Sequence, residues 1–254
     1  MYQTLRPRGD SPVTIIGAGI TGAWHALLLA EAGRAVTLHE RSDAAMTEST
    51  SHWAGGMLAP WCEEEAAEPV ITRLGIRSLA LWRQHLPETP FNGSLVVAHP
   101  RDRADFERFA KMTTGHQRLD ADGVAELEPA LAGRFREGLY FPDEGHVEPR
   151  LVLARLHERL IEAEDNGVSV RSALELLGAA YVVHPAFGEA RIVEFGAGLR
   201  PAFPDNLPKI RIEQERITVN GLYRHGFLLA PALAELTLAY LQRGEIDNEV
   251  MLCA

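Results

Sequence analysis

The stretch "VTIIGAGITGAWHALLLAEAGRAVTLHE", residues Val13–Glu40, decides the fold of this chain. Its β-branched start, Val13–Ile16, predicts a buried strand. A glycine turn follows, then a helix over Ile20–Ala32 and a second strand over Ala35–His39. Strand, helix and strand in this order predict a compact βαβ unit, and therefore an α/β fold.

The glycines of this unit match the GxGxxG pattern of a Rossmann-like dinucleotide-binding domain. Gly17 suits a sharp turn, Gly19 lets the backbone approach a pyrophosphate, and Gly22 lets the helix pack closely on the strand. The phosphates would then face the N–H groups and positive dipole end of the helix. Glu40 lies where a carboxylate accepts hydrogen bonds from ribose hydroxyls and repels a 2′-phosphate, which disfavours NADP. The pattern alone does not separate NAD from FAD.

Two later segments favour FAD. "STSHWAGGMLAP", residues Ser49–Pro60, offers hydroxyls and then Gly55 and Gly56, which let a backbone come close to a flat ring or a phosphate. Residues Arg216–Gly244 predict a strand, a glycine turn and an amphipathic helix with Pro231 in an early turn. The start of such a helix stabilises the negative charge of a reduced flavin. A surface loop and an ordinary closing helix are the alternative interpretations.

Arg200 lies in "EFGAGLRPAFPDN", residues Glu194–Asn206, between a glycine-rich bend and two prolines. A guanidinium can hold a carboxylate through two parallel N–H···O bonds, as a lysine cannot. Arg200 is therefore a candidate substrate-carboxylate clamp. A structural ion pair or a carbonyl contact at the turn explains the same residue equally well.

Composition narrows the class of protein. The 254 residues are 46% hydrophobic and carry a net charge of −10, as expected of a globular chain of one large or two modest domains. Because the basic residues are scattered, we expect a small-molecule substrate and neither a nucleic acid nor a membrane as partner. The two cysteines, Cys62 and Cys253, lack metal-type spacing, and no export-type apolar segment is present, so we expect no metal and a cytoplasmic protein.

Five ordered segments together resemble one enzyme family: "VTIIGAGITG…LHE", "AGGMLAP", "DEGHVEP", "GAGLRP" and "NGLYRHGFLLAP". They are similar to the glycine oxidase and D-amino-acid oxidase family, in particular the glycine oxidases of thiamine biosynthesis, over Val13–Leu241. The resemblance implies an FAD-binding Rossmann-like α/β domain, an antiparallel substrate domain and noncovalent FAD. The implied reaction oxidises glycine or another small amino acid to the imino acid, with O₂ reduced to H₂O₂.

The resemblance also implies roles for individual residues. Arg200 matches the arginine that pairs with the substrate carboxylate, and Arg224 lies in the loop beside the flavin. Since hydride passes from the substrate Cα to flavin N5, no dedicated base is needed, and His146 and His225 are positional at most. The residues that correspond to FAD contacts are Gly17, Gly19, Ile20, Thr21, Gly22, Glu40, Arg41, Thr50, Ser51, Gly55, Gly56, Met57, Leu222, Tyr223, Arg224, His225, Gly226, Phe227 and Leu228.

The chain departs from the family after the predicted helix Glu148–Leu160. There it runs directly into a segment, with a predicted helix Ser172–Val183, that the family places after its substrate sheet. The simplest account is an internal deletion near Leu160 and Ile161. Such a deletion would remove adenine-side FAD contacts and the tyrosine-bearing strand opposite Arg200, and it would leave exposed sheet edges that favour a homo-oligomer.

Three segments organise the chain. Residues 1–90 are predicted to be the first part of the FAD-binding domain, residues 91–140 a reduced substrate domain, and residues 141–254 the return to the FAD-binding domain. Predicted helices cover Ile71–His85 and Arg101–Met112, the latter with an apolar stripe for the core.

Few further runs look like strands: beyond the first βαβ unit they are chiefly Ser94–Ala98, Arg191–Phe195 and Arg216–Val219. The acidic run Glu63–Glu65 is interpreted as a solvated loop or helix start.

Three hypotheses for function follow. The first is an FAD-dependent amino-acid oxidase of the glycine-oxidase type, and the second is a non-catalytic remnant that retains part of the nucleotide site. The third is an NAD-dependent dehydrogenase, which explains the N-terminal unit but gives no role to "GAGLRP" or "NGLYRHG".

Overall fold

A computed structural model describes residues 11–41, 49–157 and 200–253, together with Val183, His184, Ala186, Ala190 and Arg191. The predicted deletion point and most of the predicted elements Ser172–Val183 and Arg191–Phe195 lie outside the described residues. Among the described residues, no helix is long and apolar enough to cross a membrane.

The N-terminal βαβ unit forms as predicted. Strand β1 (Val13–Ile16) pairs in parallel with β2 (Val36–His39), and α1 (Ile20–Glu31) connects them. Gly17, at φ 97°, makes the turn between β1 and α1 in a backbone region that favours glycine. Its N–H donates to the carbonyl of His39 at 2.7 Å, which ties the turn to the end of β2.

The described strands form four small sheets, two with two strands and two with three. The remaining strands are β3 (Met57–Leu58), β4 (Ser94–Val97), β5 (Gln117–Asp120), β6 (Glu137–Phe141), β7 (Gly145–His146), β8 (Lys209–Glu213), β9 (Arg216–Asn220) and β10 (Met251–Cys253). The remaining helices are α2 (Pro69–His85), α3 (Arg103–Met112), α4 (Ala121–Leu127), α5 (Pro149–His157) and α6 (Gly226–Arg243).

Both parallel and antiparallel pairing occur. β3 pairs with β7, and β6 lies between β4 and β5, all antiparallel. β8 lies between β10, which is parallel to it, and β9, which is antiparallel. The described residues therefore contain more strands than the sequence predicted, although every sheet is small. The strands that were not predicted are β3, β5, β6, β7, β8 and β10.

The three-stranded sheet of β4, β5 and β6 has its own small core. Phe106 of α3 packs against Leu139 and Phe141 of β6, and Phe109 and Ala110 add to this cluster. The predicted apolar stripe of α3 is therefore part of a core. The helix begins at Arg103, because residues 100–102 form a 3₁₀ turn.

Helices α1, α2 and α6 pack together to form the main core. Trp24 of α1 and Trp82 of α2 are fully buried and meet edge to face, with ring centroids 4.8 Å apart. This packing holds the N-terminal ends of α1 and α6 in fixed relative positions.

Pro231 is the sixth residue of α6 and not part of an early turn, because the helix begins at Gly226. A proline inside a helix cannot donate to the carbonyl four residues before it, which here belongs to Phe227. The indole N–H of Trp82 donates to that carbonyl at 3.2 Å. The next N–H, of Ala232, donates to the hydroxyl of Ser78 at 3.2 Å. Side chains of α2 thus replace the hydrogen bonding that Pro231 removes.

Candidate functional site

The glycine turn before α1 has the geometry that a phosphate-binding loop requires. A Cβ added to Gly22 would lie 1.8 Å from the carbonyl oxygen of Gly17, so only glycine lets α1 approach the turn this closely. A Cβ on Gly19 would lie 3.2 Å from the hydroxyls of both Ser49 and Ser51. The local geometry alone therefore requires glycine at position 22 and favours it at Gly17, and the arrangement suits a dinucleotide.

Two other predicted segments converge on this helix start. The carboxylate of Glu40 accepts from the N–H of Ala18 at 2.5 Å and from that of Arg41 at 2.8 Å. The hydroxyl of Ser51 accepts from the N–H of Ile20 at 3.0 Å. Residues predicted to bind the ribose and phosphates thus lie together, and the described N–H groups of the turn already point toward oxygen acceptors.

The "AGGM" segment is fixed against "DEGHVEP". Gly56 has φ 68°, and a Cβ there would lie 2.1 Å from the carbonyl oxygen of Val147. The N–H of Val147 donates to the carbonyl of Gly56 at 2.8 Å, and Met57 pairs with His146 across β3 and β7. Gly55 is exposed, with no atom within 4 Å of an added Cβ. The segment therefore presents open backbone at Gly55 from a rigid support.

The start of α6 lies against the start of α1. A Cβ added to Gly226 would lie 3.6 Å from Cγ2 of Ile20, an ordinary contact distance. Leu222, Phe227 and Leu228 are buried in the core beside it. Two helix N-termini, one predicted to face phosphates and one predicted to face the flavin, are thus side by side.

The structure joins the Arg200 segment to the predicted flavin loop. The N–H of Tyr223 donates to the carbonyl of Pro201 at 2.8 Å, and a Cβ on Gly221 would lie 2.2 Å from the ring of Phe203. Arg200 is exposed and forms no ion pair within the described ranges. Arg200 and Arg224 are therefore held on one side of the molecule, in segments that are joined directly through their backbones.

Glu63 is a site residue that the sequence did not single out. Its carboxylate lies 2.6 Å from Nη2 of Arg224 and 3.8 Å from Nδ1 of His225. Burial lowers the pKa of His225; Glu63 opposes this, and the charges of Arg224 and Arg200 add to the lowering. His225 is therefore neutral near pH 7, and Arg200 lies close enough for its charge to act on it.

The acidic run is not simply solvated. Glu63 pairs with Arg224, Glu64 accepts from the N–H of Thr114 at 2.6 Å, and Glu65 forms an ion pair with Arg108. Each carboxylate thus has its own partner, which corrects the expectation of a solvated loop. The alternative interpretation, a helix start, agrees with the 3₁₀ turn Cys62–Glu65.

Glu144, in "DEGHVEP", fixes the loop that carries Glu63. Its buried carboxylate accepts from the N–H groups of Trp61 and Cys62, both at 2.9 Å, and from the thiol of Cys62 at 3.1 Å. Burial raises the pKa of Glu144, and its hydrogen bonds oppose the increase. Burial, followed by the nearby Glu144 charge, raises the pKa of the Cys62 thiol, which stays protonated and donates.

Replacing Glu144 by alanine should lower the free energy of unfolding by about 2–4 kcal/mol, because two backbone N–H groups lose their acceptor. Glu144→Gln is the matched control, since its amide oxygen can still accept from both groups, and we expect a loss of less than about 1 kcal/mol. Urea unfolding of the three proteins measures the difference. Equal stability of the alanine and glutamine variants would contradict the anchoring role.

A cavity of about 730 Å³ lies beside the "AGGM" segment, between the end of α2 and the start of α5. Its lining includes His52, Trp53, Gly55, His146 and Arg150. Gly55 is its only lining residue among the predicted FAD contacts. The cavity therefore adjoins the predicted cofactor site and does not coincide with it.

The chain matches a family described as FAD dependent oxidoreductase, over residues 12–179 and again over residues 161–240. A protein of Rhizobium etli named for an oxidoreductase of thiamine biosynthesis, ThiO, is 37% identical over 307 aligned positions, which cover 87% of this chain and 94% of the relative. Since 307 positions exceed the 254 residues of the chain, the alignment opens gaps in it. The second family match also begins at residue 161, so both findings fit the predicted internal deletion.

Solved structures share the fold. Glycine oxidase from Geobacillus kaustophilus has a TM-score of 0.71 and 19% identity, covering 94% of this chain and 96% of that one. Iminodiacetate oxidase from Chelativorans sp. BNC1 has a TM-score of 0.72 and 19% identity, and the match covers 92% of this chain and 95% of that one. L-proline dehydrogenase from P. horikoshii has a TM-score of 0.70 and 15% identity, and the match covers 94% of this chain and 95% of that one.

Proposed function

Because this chain belongs to the FAD dependent oxidoreductase family, we propose that it oxidatively deaminates glycine or another small amino acid to the imino acid, with O₂ reduced to H₂O₂. The name of its Rhizobium etli relative further supports a link to thiamine biosynthesis, and we propose that the link is to the thiazole part. The observation that carries the proposal is the hydrogen bond from Tyr223 N–H to the Pro201 carbonyl, which joins the Arg200 segment to the start of α6. This family membership excludes the NAD-dependent alternative.

The residues present fit FAD. The turn Gly17–Gly22 and the α1 N-terminus would hold the pyrophosphate, and Glu40 the ribose hydroxyls. Gly55–Met57 and Leu222–Leu228 would hold the flavin end, where the α6 N-terminus stabilises negative charge. Ile20, Thr21, Arg41, Thr50 and Ser51 complete the proposed contacts. When bound, FAD supplies the hydride acceptor for the substrate Cα.

Arg200 would hold the substrate carboxylate and thereby orient Cα. Its exposure and its lack of an ion pair among the described residues leave the guanidinium available for a ligand. Arg224 lies near it, already paired with Glu63. His225 is buried with a lowered pKa, so it contributes shape and not charge. His146 is exposed on β7, and we assign it no step.

We also propose that the chain is divided into an FAD-binding part and a substrate part. Residues 1–90 and 141–254 would build the FAD-binding part, and residues 91–140 the reduced substrate part. The sheet β4, β5 and β6 with its own core supports this, although β6 extends to Phe141. The free thiols of Cys62 and Cys253 are consistent with a reducing cytoplasm.

The proposal is tested on the purified chain. We expect stoichiometric bound FAD, and peroxide on adding glycine, measured with a peroxidase-coupled dye. Acetate, which has the carboxylate but no amine, is the matched control and should give no peroxide. A protein that binds FAD but makes no peroxide from any small amino acid overturns the proposed reaction. A colourless protein that takes up no added FAD supports the remnant hypothesis instead.

A further inference from the structure

The charges around the proposed substrate site sum to a single positive charge among the described residues. Arg200 and Arg224 each carry one, and Glu63 carries one negative charge 2.6 Å from Arg224. His225 adds none near pH 7, because burial lowers its pKa. Arg224 is thus neutralised by a protein carboxylate before any ligand binds, whereas Arg200 has no such partner among the residues that the structure describes.

Glu63 is fixed in this position. The residues before it, Trp61 and Cys62, are held through their N–H groups by the buried Glu144. The residues after it, Glu64 and Glu65, are held by Thr114 and Arg108. Anchors on both sides keep the carboxylate beside Arg224, so the pair differs from a surface ion pair between two mobile side chains.

We propose that Glu63 is a specificity-determining residue that limits the site to ligands with one carboxylate. The inference rests on the proposed role of Arg200 as the partner of that carboxylate. A second carboxylate directed toward Arg224 would have to displace Glu63 or be repelled by it, whereas a monocarboxylate needs only Arg200. The negative charge of Glu63 thus matches the site to small amino acids with one carboxylate and excludes dicarboxylic ones.

The variant Glu63→Gln tests this selectivity. The probes are acetate, which has one carboxylate, and malonate, which has two. Calorimetric titration of the FAD-loaded chain at pH 8, where malonate is a dianion, gives the ratio of the two dissociation constants. We expect the variant to shift that ratio toward malonate by about tenfold, because a neighbouring like charge is removed. Glu63→Asp keeps the charge and should keep the ratio of the wild type.

Glu64→Gln and Glu65→Gln are matched controls. Each removes one negative charge from the same turn but leaves the Glu63–Arg224 pair intact. An unchanged ratio in Glu63→Gln overturns the inference, and so does an equal shift in all three glutamine variants, which would indicate net charge alone. A wild type that binds neither acid overturns it as well. If the ratio shifts as expected but glycine yields no peroxide, the proposed oxidation fails while the role of Glu63 stands.

Discussion

Arg200→Lys should raise the KM for glycine and the Kd for acetate about a hundredfold, because a bidentate, charge-assisted pair is replaced by a single contact. A hundredfold corresponds to about 2.8 kcal/mol, within the range of hydrogen bonds to charged groups. The substitution keeps the positive charge, so a large effect measures geometry and not net charge. Steady-state peroxide formation and acetate titration give the two constants.

The bound FAD should be unaffected by Arg200→Lys, since Arg200 is exposed and no contact among the described residues links it to the glycine turn. Arg211→Lys is the matched control: Arg211 lies exposed on β8, where it pairs with Glu213 at 3.7 Å, and the change should leave KM within about twofold. Parallel loss of flavin and folding stability in Arg200→Lys would instead show that Arg200 holds the proline-rich turn.

The sequence predicted the geometry of the first strand–turn–helix–strand unit well, because the signals there are local. The turn at Gly17 and the close approach at Gly22 are imposed by the geometry of a short strand–turn–helix unit. Glu40 lies at the end of the very next strand. Spacing along the chain therefore determines how these residues lie in space, and the structure agrees with the prediction.

Glu63 and Glu144 could not be predicted in the same way. Their partners, Arg224 and Cys62, are 161 and 82 residues away along the chain. An acidic run looks the same in sequence whether it is solvated or paired, and only the packing of distant segments decides. The one signal available was that Glu144 belongs to "DEGHVEP", one of the segments that carry the family resemblance.

The strands that the sequence analysis did not predict differ in how strong a sequence signal each one has. β8 alternates buried Ile210 and Ile212 with exposed Arg211, a pattern that indicates a half-buried strand. β3 and β7 have two residues each and exist only because Met57–Leu58 meets Gly145–His146. No periodicity can be detected in two residues, so such pairing follows from tertiary contact alone.

Gly22→Ala should reduce bound FAD to below about a tenth of the wild-type amount and destabilise the fold by about 1–3 kcal/mol. The new Cβ would lie 1.8 Å from the carbonyl oxygen of Gly17, and that backbone cannot retreat easily because the Gly17 N–H is bonded to His39. Alanine favours a helix by about 1 kcal/mol over glycine, so any destabilisation observed understates the clash. Flavin absorbance and urea unfolding measure the two effects.

Gly123→Ala is the matched control, because it adds the same methyl group to helix α4. There the nearest atoms are Cβ and Cδ2 of Leu119, both 3.3 Å away, a contact that a shift of a few tenths of an ångström relieves. We therefore expect normal FAD content and little change in stability. If Gly22→Ala kept full FAD content and stability, α1 would have to be able to move away from the turn without cost. The close approach would then not be what forms the pyrophosphate site, and the proposed FAD contacts at the α1 N-terminus would lose their physical basis.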